Sequence, residues 1–409
     1  MNTNLNRQAI SKTKALLLSG ILFLMLVTPM HLFAQKLEHD NLQFPLRGIF
    51  YYAWYPNTWK PNGYHVQYNP TIGYYTSTDM PTIRHHITEL DYANIDVAIA
   101  SWWGLDNDNR IPRDTAIDRC MTETDRRNAN GESDLKWAIY YELEASYNEP
   151  MDTVKADLEY LMERYVKRHS CYAHINGKPV IFVYTRGSED NTVEFMKKWA
   201  DAVDDKWYYV LKVFGGYKDM PYQPSSWHQY GPSTRIHKHE DSSRKLVCIN
   251  ISPGFKHADP NKDAFLERAT QQEWTDLVIE MVDSKVDWQL ITSYNEWGEG
   301  TAIESAAEWQ TESGYGMYQD VLHNFPTKEK TQTTIRKNIL QNEELPYSIL
   351  KNTLRMNKQP NRVSVYSLTG RLILQEQNIS TKVLDCKERF TILHIEVGEN
   401  IYRLKHVSF

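Results

Sequence analysis

The chain is 409 residues long and carries 46 Lys+Arg against 52 Asp+Glu, a formal net charge of −6 at pH 7. A net acid balance gives no electrostatic footprint for nucleic acid or for an anionic membrane surface. Four scattered cysteines (Cys120, Cys171, Cys248 and Cys386) have neither metal-ligand spacing nor the density of a disulfide scaffold. No His-Glu-x-x-His pattern occurs, so neither a metal nor any other cofactor is expected. The compositional signal is aromatic, with 12 Trp and 26 Tyr. Flat apolar rings beside carboxylates suit sugars, whose C–H faces stack while their hydroxyls accept and donate hydrogen bonds.

In chain order, residues 1–35 come first. Arg7, Lys12 and Lys14 precede an apolar run from Gly20 to Val27, and Ala34 supplies a small residue near its exit. This order reads as a cleaved signal peptide, so the chain is expected to be exported to the periplasm, the cell surface or the medium. Removing the peptide's three basic residues raises the excess of acid from six to nine. Short β-branched or aromatic runs then alternate with helical patterns. Eight strands are expected, at Leu46–Trp54, Asn94–Trp103, Leu135–Glu142, Pro179–Tyr184, Trp207–Phe214, Ser226–Tyr230, Leu246–Ser252 and Asp287–Tyr294. Between them, 80–92, 152–166, 191–203 and 267–282 place apolar residues at helical spacing. No Gly-rich phosphate turn follows an early strand, which disfavours a doubly wound sheet. The pattern predicts an α/β fold, a (β/α)8 TIM barrel over 36–326. A polar stretch, 327–360, reads as a linker. The last part, 361–409, reads as a small β appendage with a hairpin turn at Thr369-Gly370.

A barrel of this kind carries its site where strands end. Those ends read Phe50-Tyr-Tyr-Ala-Trp-Tyr55, Ser101-Trp-Trp-Gly104, Tyr140-Tyr-Glu-Leu-Glu144, Val183-Tyr184 and Ser293-Tyr-Asn-Glu-Trp-Gly-Glu-Gly-Thr301. Glu296 and Glu299 are the candidate catalytic residues, because glycoside cleavage needs one carboxyl to protonate the leaving oxygen and a second as nucleophile or base. Tyr51, Tyr52, Trp102, Glu142, Tyr184, Tyr294, Asn295 and Trp297 are the candidate substrate contacts. Side chains alternate along a strand, so one of Trp102 and Trp103 lines the site while the other packs outward, and the same holds for Tyr51 and Tyr52. Glu142 and Glu144 share a face, with sugar binding and ionic pairing as the two readings. The expected partner is an oligo- or polysaccharide, bound by a monomer.

Those stretches together resemble glycoside hydrolase family 99, the endo-α-mannosidase and endo-α-mannanase family. The matching residues are Phe50–Tyr55, Gly73–Asp79, Ile83–His86, Ala93–Trp102, Tyr141-Glu142, Gly177–Tyr184, Ser252–Phe255 and Thr292–Glu304. The resemblance implies a (β/α)8 barrel that cleaves α-mannosides within a chain, with retention, through a 1,2-anhydro intermediate. Carried over residue by residue, it makes Glu296 the base on the 2-hydroxyl and Glu299 the acid on the leaving group, with substrate contacts at Trp102 and Glu142. The chain departs from the family pattern at Ala53, Phe255 and Gly298. The alternative reading is a carbohydrate-binding or polysaccharide-processing relative with a different glycan. The C-terminal segments Val363–Ile373 and Gly398–Leu404 resemble the end of the β-sandwich sorting domains of exported Bacteroidetes proteins.

Overall fold

The structure, a computed structural model, describes residues 39–59, 66–105, 110–145, 149–185, 192–256 and 264–327 of the first part of the chain. In the last part it describes 347–350, 353–356, 361–367, 372–383, 390–397 and 400–407. The signal-peptide reading and the Thr369-Gly370 turn fall outside the described residues. The chain divides into two units, Met1–Glu329 and Lys330–Phe409.

In the first unit, eight strands line up in parallel: β1 (Leu46–Tyr51), β2 (Val97–Trp102), β3 (Lys136–Tyr141), β4 (Lys178–Val183), β5 (Tyr208–Lys212), β6 (Ser226–His228), β7 (Leu246–Ile251) and β8 (Trp288–Ile291). The ladder runs β6-β5-β4-β3-β2-β1-β8-β7, and β6 lies beside β7 across the remaining gap. Runs such as Val97-Ala-Ile-Ala-Ser-Trp102 are buried along their whole length, as strands covered on both faces must be. The expected (β/α)8 barrel is therefore the fold.

Register decides which side chains face inward. Phe50 pairs with Ile99, Ser101 with Tyr140, and Tyr140 with Phe182. These inward residues fill the interior: the ring of Phe50 lies 4.8 Å from Tyr140 and 6.0 Å from His228, and Phe182 lies 4.9 Å from Trp288. Gly48 is required there, since a Cβ at that position would sit 2.8 Å from Leu290 Cδ2.

Helices α1 (Met80–Tyr92), α2 (Arg110–Ala129), α3 (Met151–Leu161), α4 (Thr192–Val203), α5 (Gln271–Asp283) and α6 (Met317–Asn324) belong to the same unit. α1 buries Ile83, Ile87 and Leu90, and α5 buries Trp274, Leu277, Val278 and Met281. A capping box of Thr270 and Glu273 starts α5, a device that contributes roughly 1 kcal/mol. The strand–helix alternation is incomplete. After β5 comes the short 3-10 turn Tyr217–Asp219, and after β6 the antiparallel strand Ile236–Glu240, which pairs with β7. Conversely, α2 and α6 have no counterpart among the four helices read from the sequence.

The second unit has two antiparallel sheets. Asn361–Ser367 pairs with Leu372–Gln377 and with Phe390–Val397, which pairs in turn with Asn400–Val407. Tyr347–Leu350, Thr353–Met356 and Thr381–Val383 form the other sheet. Leu354, Met356, Val363, Val365, Leu393 and Ile395 make a shared core. The stretch 327–360, read as linker, thus contains two strands; its polar composition hid the alternating Leu354 and Met356. Among the described residues, no helix is long and apolar enough to cross a membrane.

Candidate active site

The chain leaves β8 into a turn that presents both candidate glutamates. The Glu296 N–H donates to Ser293 Oγ at 2.9 Å, and that hydroxyl lies 2.8 Å from Thr301 Oγ1. Gly298 N–H donates to Glu296 Oε1 at 3.0 Å, fixing the carboxylate from below. Gly300 turns the chain back at φ +63, where a side chain would be strained. Arg268 clamps the return: its guanidinium donates to Gly300 O at 2.9 Å and Ala302 O at 2.8 Å, and sits over the rings of Trp309 and Tyr318. Asn295 ties the turn to the end of β1, accepting from Tyr52 N–H at 2.8 Å and donating to Tyr52 O at 2.9 Å.

Three carboxyls gather on the inward side. Tyr230, past the end of β6, donates to Glu299 Oε2 at 2.6 Å. Glu142 follows β3, and the Tyr52 hydroxyl lies within electrostatic reach of Glu142, Glu296 and Glu299 together. Burial raises the proton affinity of all three. Glu142 is pushed up to about 8, by burial first and then by the charge of Glu299, against the hydroxyl of Ser101 and the more remote Arg113. Glu296 is raised well above the usual carboxylate range by burial, then by Glu299, while the Gly298 N–H works the other way. Glu299 is raised by burial, and the Tyr230 hydrogen bond partly offsets it. Carboxyls this close titrate as a set, so the site retains protons at a pH where isolated glutamates have lost theirs. A group that keeps a proton beside one that accepts it is the requirement for acid/base work on an acetal.

The candidate substrate contacts divide by strand phase. Tyr52 and Glu142 line the site, and Tyr184 lies 6.4 Å from Tyr230, ring to ring. Tyr51, Trp102 and Tyr294 do not line it. They point outward between strands and helices: Tyr51 Oη lies 2.9 Å from His86 Nδ1, Trp102 donates to Asp114 at 3.0 Å, and Tyr294 donates to Glu89 at 2.9 Å. The indole on the inner face is Trp103, whose Nε1 donates to Ser101 Oγ at 3.0 Å. Asn295 and Trp297 are wholly buried supports, the latter donating to Glu304 at 2.9 Å and stacking on Trp309. Glu144 pairs with Lys198 at 2.6 Å, the ionic reading, while Glu142 stays among the inner carboxyls. Sequence reasoning missed Tyr230, at the end of the shortest and most polar strand, and Arg268, far from the motif it clamps. Glu304 lay within the motif and was the one signal that pointed to the support behind it. Among the described residues, no group of three or more His, Cys, Asp or Glu is placed to hold a metal ion.

Known proteins similar to this chain share its barrel fold. A glycoprotein endo-alpha-1,2-mannosidase-like protein of Mus musculus is 21% identical over 297 residues, 64% of this chain and 62% of the relative. Glycoprotein endo-alpha-1,2-mannosidase of Xenopus laevis is 22% identical over 346 residues, 68% of this chain and 73% of the relative. The GH99 endo-alpha-mannosidase structure from Bacteroides thetaiotaomicron superposes with a TM-score of 0.52 at 18% identity, covering 70% of this chain and 96% of the other. The chain is similar to family 99 proteins in sequence and shares their fold. The same protein in complex with bis-tris-propane gives a TM-score of 0.51 at 20% identity, with 68% and 94% covered. The chain spans about three fifths of the mouse relative's length. No protein-family model matches it.

Proposed function

We propose that the chain is a glycoside hydrolase that cuts α-mannosides within a glycan, with retention, through a 1,2-anhydro sugar. The observation that carries this reading is the gathering of Glu142, Glu296 and Glu299 at the strand ends, each with raised proton affinity. Glu296 removes the proton of the sugar's 2-hydroxyl, and O2 attacks C1. Glu299 gives its proton to the departing glycosidic oxygen as the C1–O bond breaks. Water then opens the three-membered ring at C1, with the two glutamates exchanging roles: Glu299 takes the water's proton and Glu296 returns one to O2. In an α-mannoside the 2-hydroxyl and the leaving group are both axial on opposite faces of the ring, so O2 is aligned for this displacement. An α-glucoside lacks that alignment.

The site supports the division of labour. A buried carboxylate of raised basicity is the stronger base toward an alcohol, which suits Glu296. Tyr230 occupies Glu299 Oε2, leaving the other oxygen to carry the proton to the leaving group. The signal-like order of residues 1–35 supports an activity outside the cytoplasm.

The test is to incubate the purified protein with α-mannan, high-mannose glycans and unrelated α-glycans, alongside Glu299→Gln. Mannoside products with retained configuration are expected, and a loss of about 3 kcal/mol in transition-state stabilisation, over 10²-fold in rate, in the variant. Cleavage of an unrelated glycan alone would sink the mannoside assignment, and undiminished turnover in Glu299→Gln would remove that residue from the acid role.

A further inference from the structure

Lys212 ends β5 on the inward face, since it pairs in register with His228, whose ring lies within the barrel interior. Its ammonium lies 4.6 Å from the centre of the Tyr184 ring and donates to Thr185 O at 3.1 Å. Tyr184 in turn stands between Tyr140 and Tyr230, the residue that donates to Glu299. Lys212 is therefore reached from the candidate acid by crossing two aromatic rings, a span suited to a neighbouring sugar position rather than to the scissile bond.

Other buried charges at this mouth are better met, Arg268 by two carbonyls and two aromatic rings. Glu144 has Lys198, Arg113 has Asp114 beside it, and the inner carboxyl Glu142 is held toward its neutral form by burial. Lys212 has no counterpart: among the described residues no carboxylate pairs with it. Its charged neighbours in the barrel are His228, His237 and His239, all held toward the neutral form by burial. Burial also lowers the ammonium's own proton affinity to about 8, with no opposing charge. A buried, unpaired cation is costly to keep, and a carbonyl and one aromatic face are weak compensation.

We propose that Lys212 is a subsite for an anionic substituent of the glycan, a phosphomonoester, sulfate or uronate carboxylate on a sugar adjoining the one that is cleaved. This rests on the glycoside-hydrolase reading of the neighbouring glutamates and adds a substrate class to it. The anion supplies the missing counter-charge, while the Tyr184 ring packs against the sugar that carries it. Lys212 acts on which glycan is taken and takes no part in bond breaking.

The experiment uses the full chain and two readouts. Binding of mannose 6-phosphate, of glucuronic acid and of neutral mannose is measured by calorimetry at pH 6.5, in wild type and in Lys212→Met, which keeps the apolar stem. At least tenfold tighter binding of one anionic sugar over mannose is expected, abolished in Lys212→Met and weakened by added salt. Which of the two is held identifies the anion. Equal affinity for all three sugars in wild type, or parallel losses for neutral and charged sugars in the variant, would overturn the proposal. Turnover of a neutral α-mannan is measured beside it. Turnover within twofold of wild type in Lys212→Met is the expected result, and a fall of tenfold or more would place Lys212 in the catalytic machinery instead. A protein that binds the anionic sugar but cleaves no mannoside would sink the hydrolase reading and leave the subsite standing.

Discussion

The raised proton affinity of Glu142 makes a stability prediction with a definite sign. Its carboxyl is 7% exposed and is lifted from 4.5 to about 8, chiefly by burial. At ~1.4 kcal/mol per tenfold in proton affinity, that lift corresponds to roughly 5 kcal/mol between the fully protonated and fully ionised limits. Because the folded state holds the proton more tightly than the unfolded chain, the contribution is fully present below about pH 4.5. It is lost as the pH rises and is gone above about pH 8. Glu142→Gln keeps the shape and the hydrogen-bonding capacity toward Ser101 but never ionises. The two proteins should therefore have similar stability near pH 4.5 and diverge upward, the variant melting higher by roughly 8 °C at pH 9 for a barrel of this size. The assay is thermal unfolding of both proteins from pH 4.5 to 9.5 at fixed ionic strength, scored on the difference between the curves. That difference cancels contributions common to both, including those of Glu296 and Glu299 to first order. Parallel curves would refute the reasoning, showing that the carboxyl ionises without penalty and so is not in the dry, crowded position described.

Other predictions concern side chains that look alike in sequence. Trp102→Phe removes a buried indole N–H bonded to Asp114 and should cost about 1–3 kcal/mol in chemical denaturation with KM unchanged. Trp103→Ala should raise KM severalfold with little change in stability, and the opposite pattern would reverse the two faces of β2. Arg268→Lys keeps the charge but loses the fork that holds Gly300 O and Ala302 O. It should lower kcat at least tenfold and shift the acid limb of the pH–rate profile, because the Glu299 turn is no longer held, while the melting temperature falls only a few degrees.

The barrel itself was legible because seven of its eight strands are largely apolar or aromatic runs separated by turn residues, the short polar β6 being the exception. Their phase was not. A strand covered on both faces shows no polar alternation, so Phe50-Tyr51-Tyr52 and Ser101-Trp102-Trp103 do not declare which ring points inward; register against the neighbouring strand does. α2 escaped notice because its Arg, Asp and Thr residues run around most of the helix and only a few residues, among them Ile117, Cys120 and Met121, seat it. No helical spacing was read between β5 and β7, where the chain instead forms a 3-10 turn and the strand Ile236–Glu240, which pairs with β7. Within the site, the pairing of Glu296 with Glu299 was readable from three-residue spacing beside glycines. The tyrosine that bonds Glu299 was not, since it arrives from a different strand.

The outward set of Tyr51, His86, Glu89 and Tyr294 has a bearing on how such chains diversify. Tyr51, His86 and Tyr294 belong to the very stretches by which the chain is recognisable, yet with Glu89 they lie on the outer side of the barrel wall. Recognition by motif is to a large extent recognition of the masonry behind the wall. Two chains can therefore share the motif and differ in diet, with changes in the glycan taken expected at the ends of β5 and β6, which those stretches do not reach.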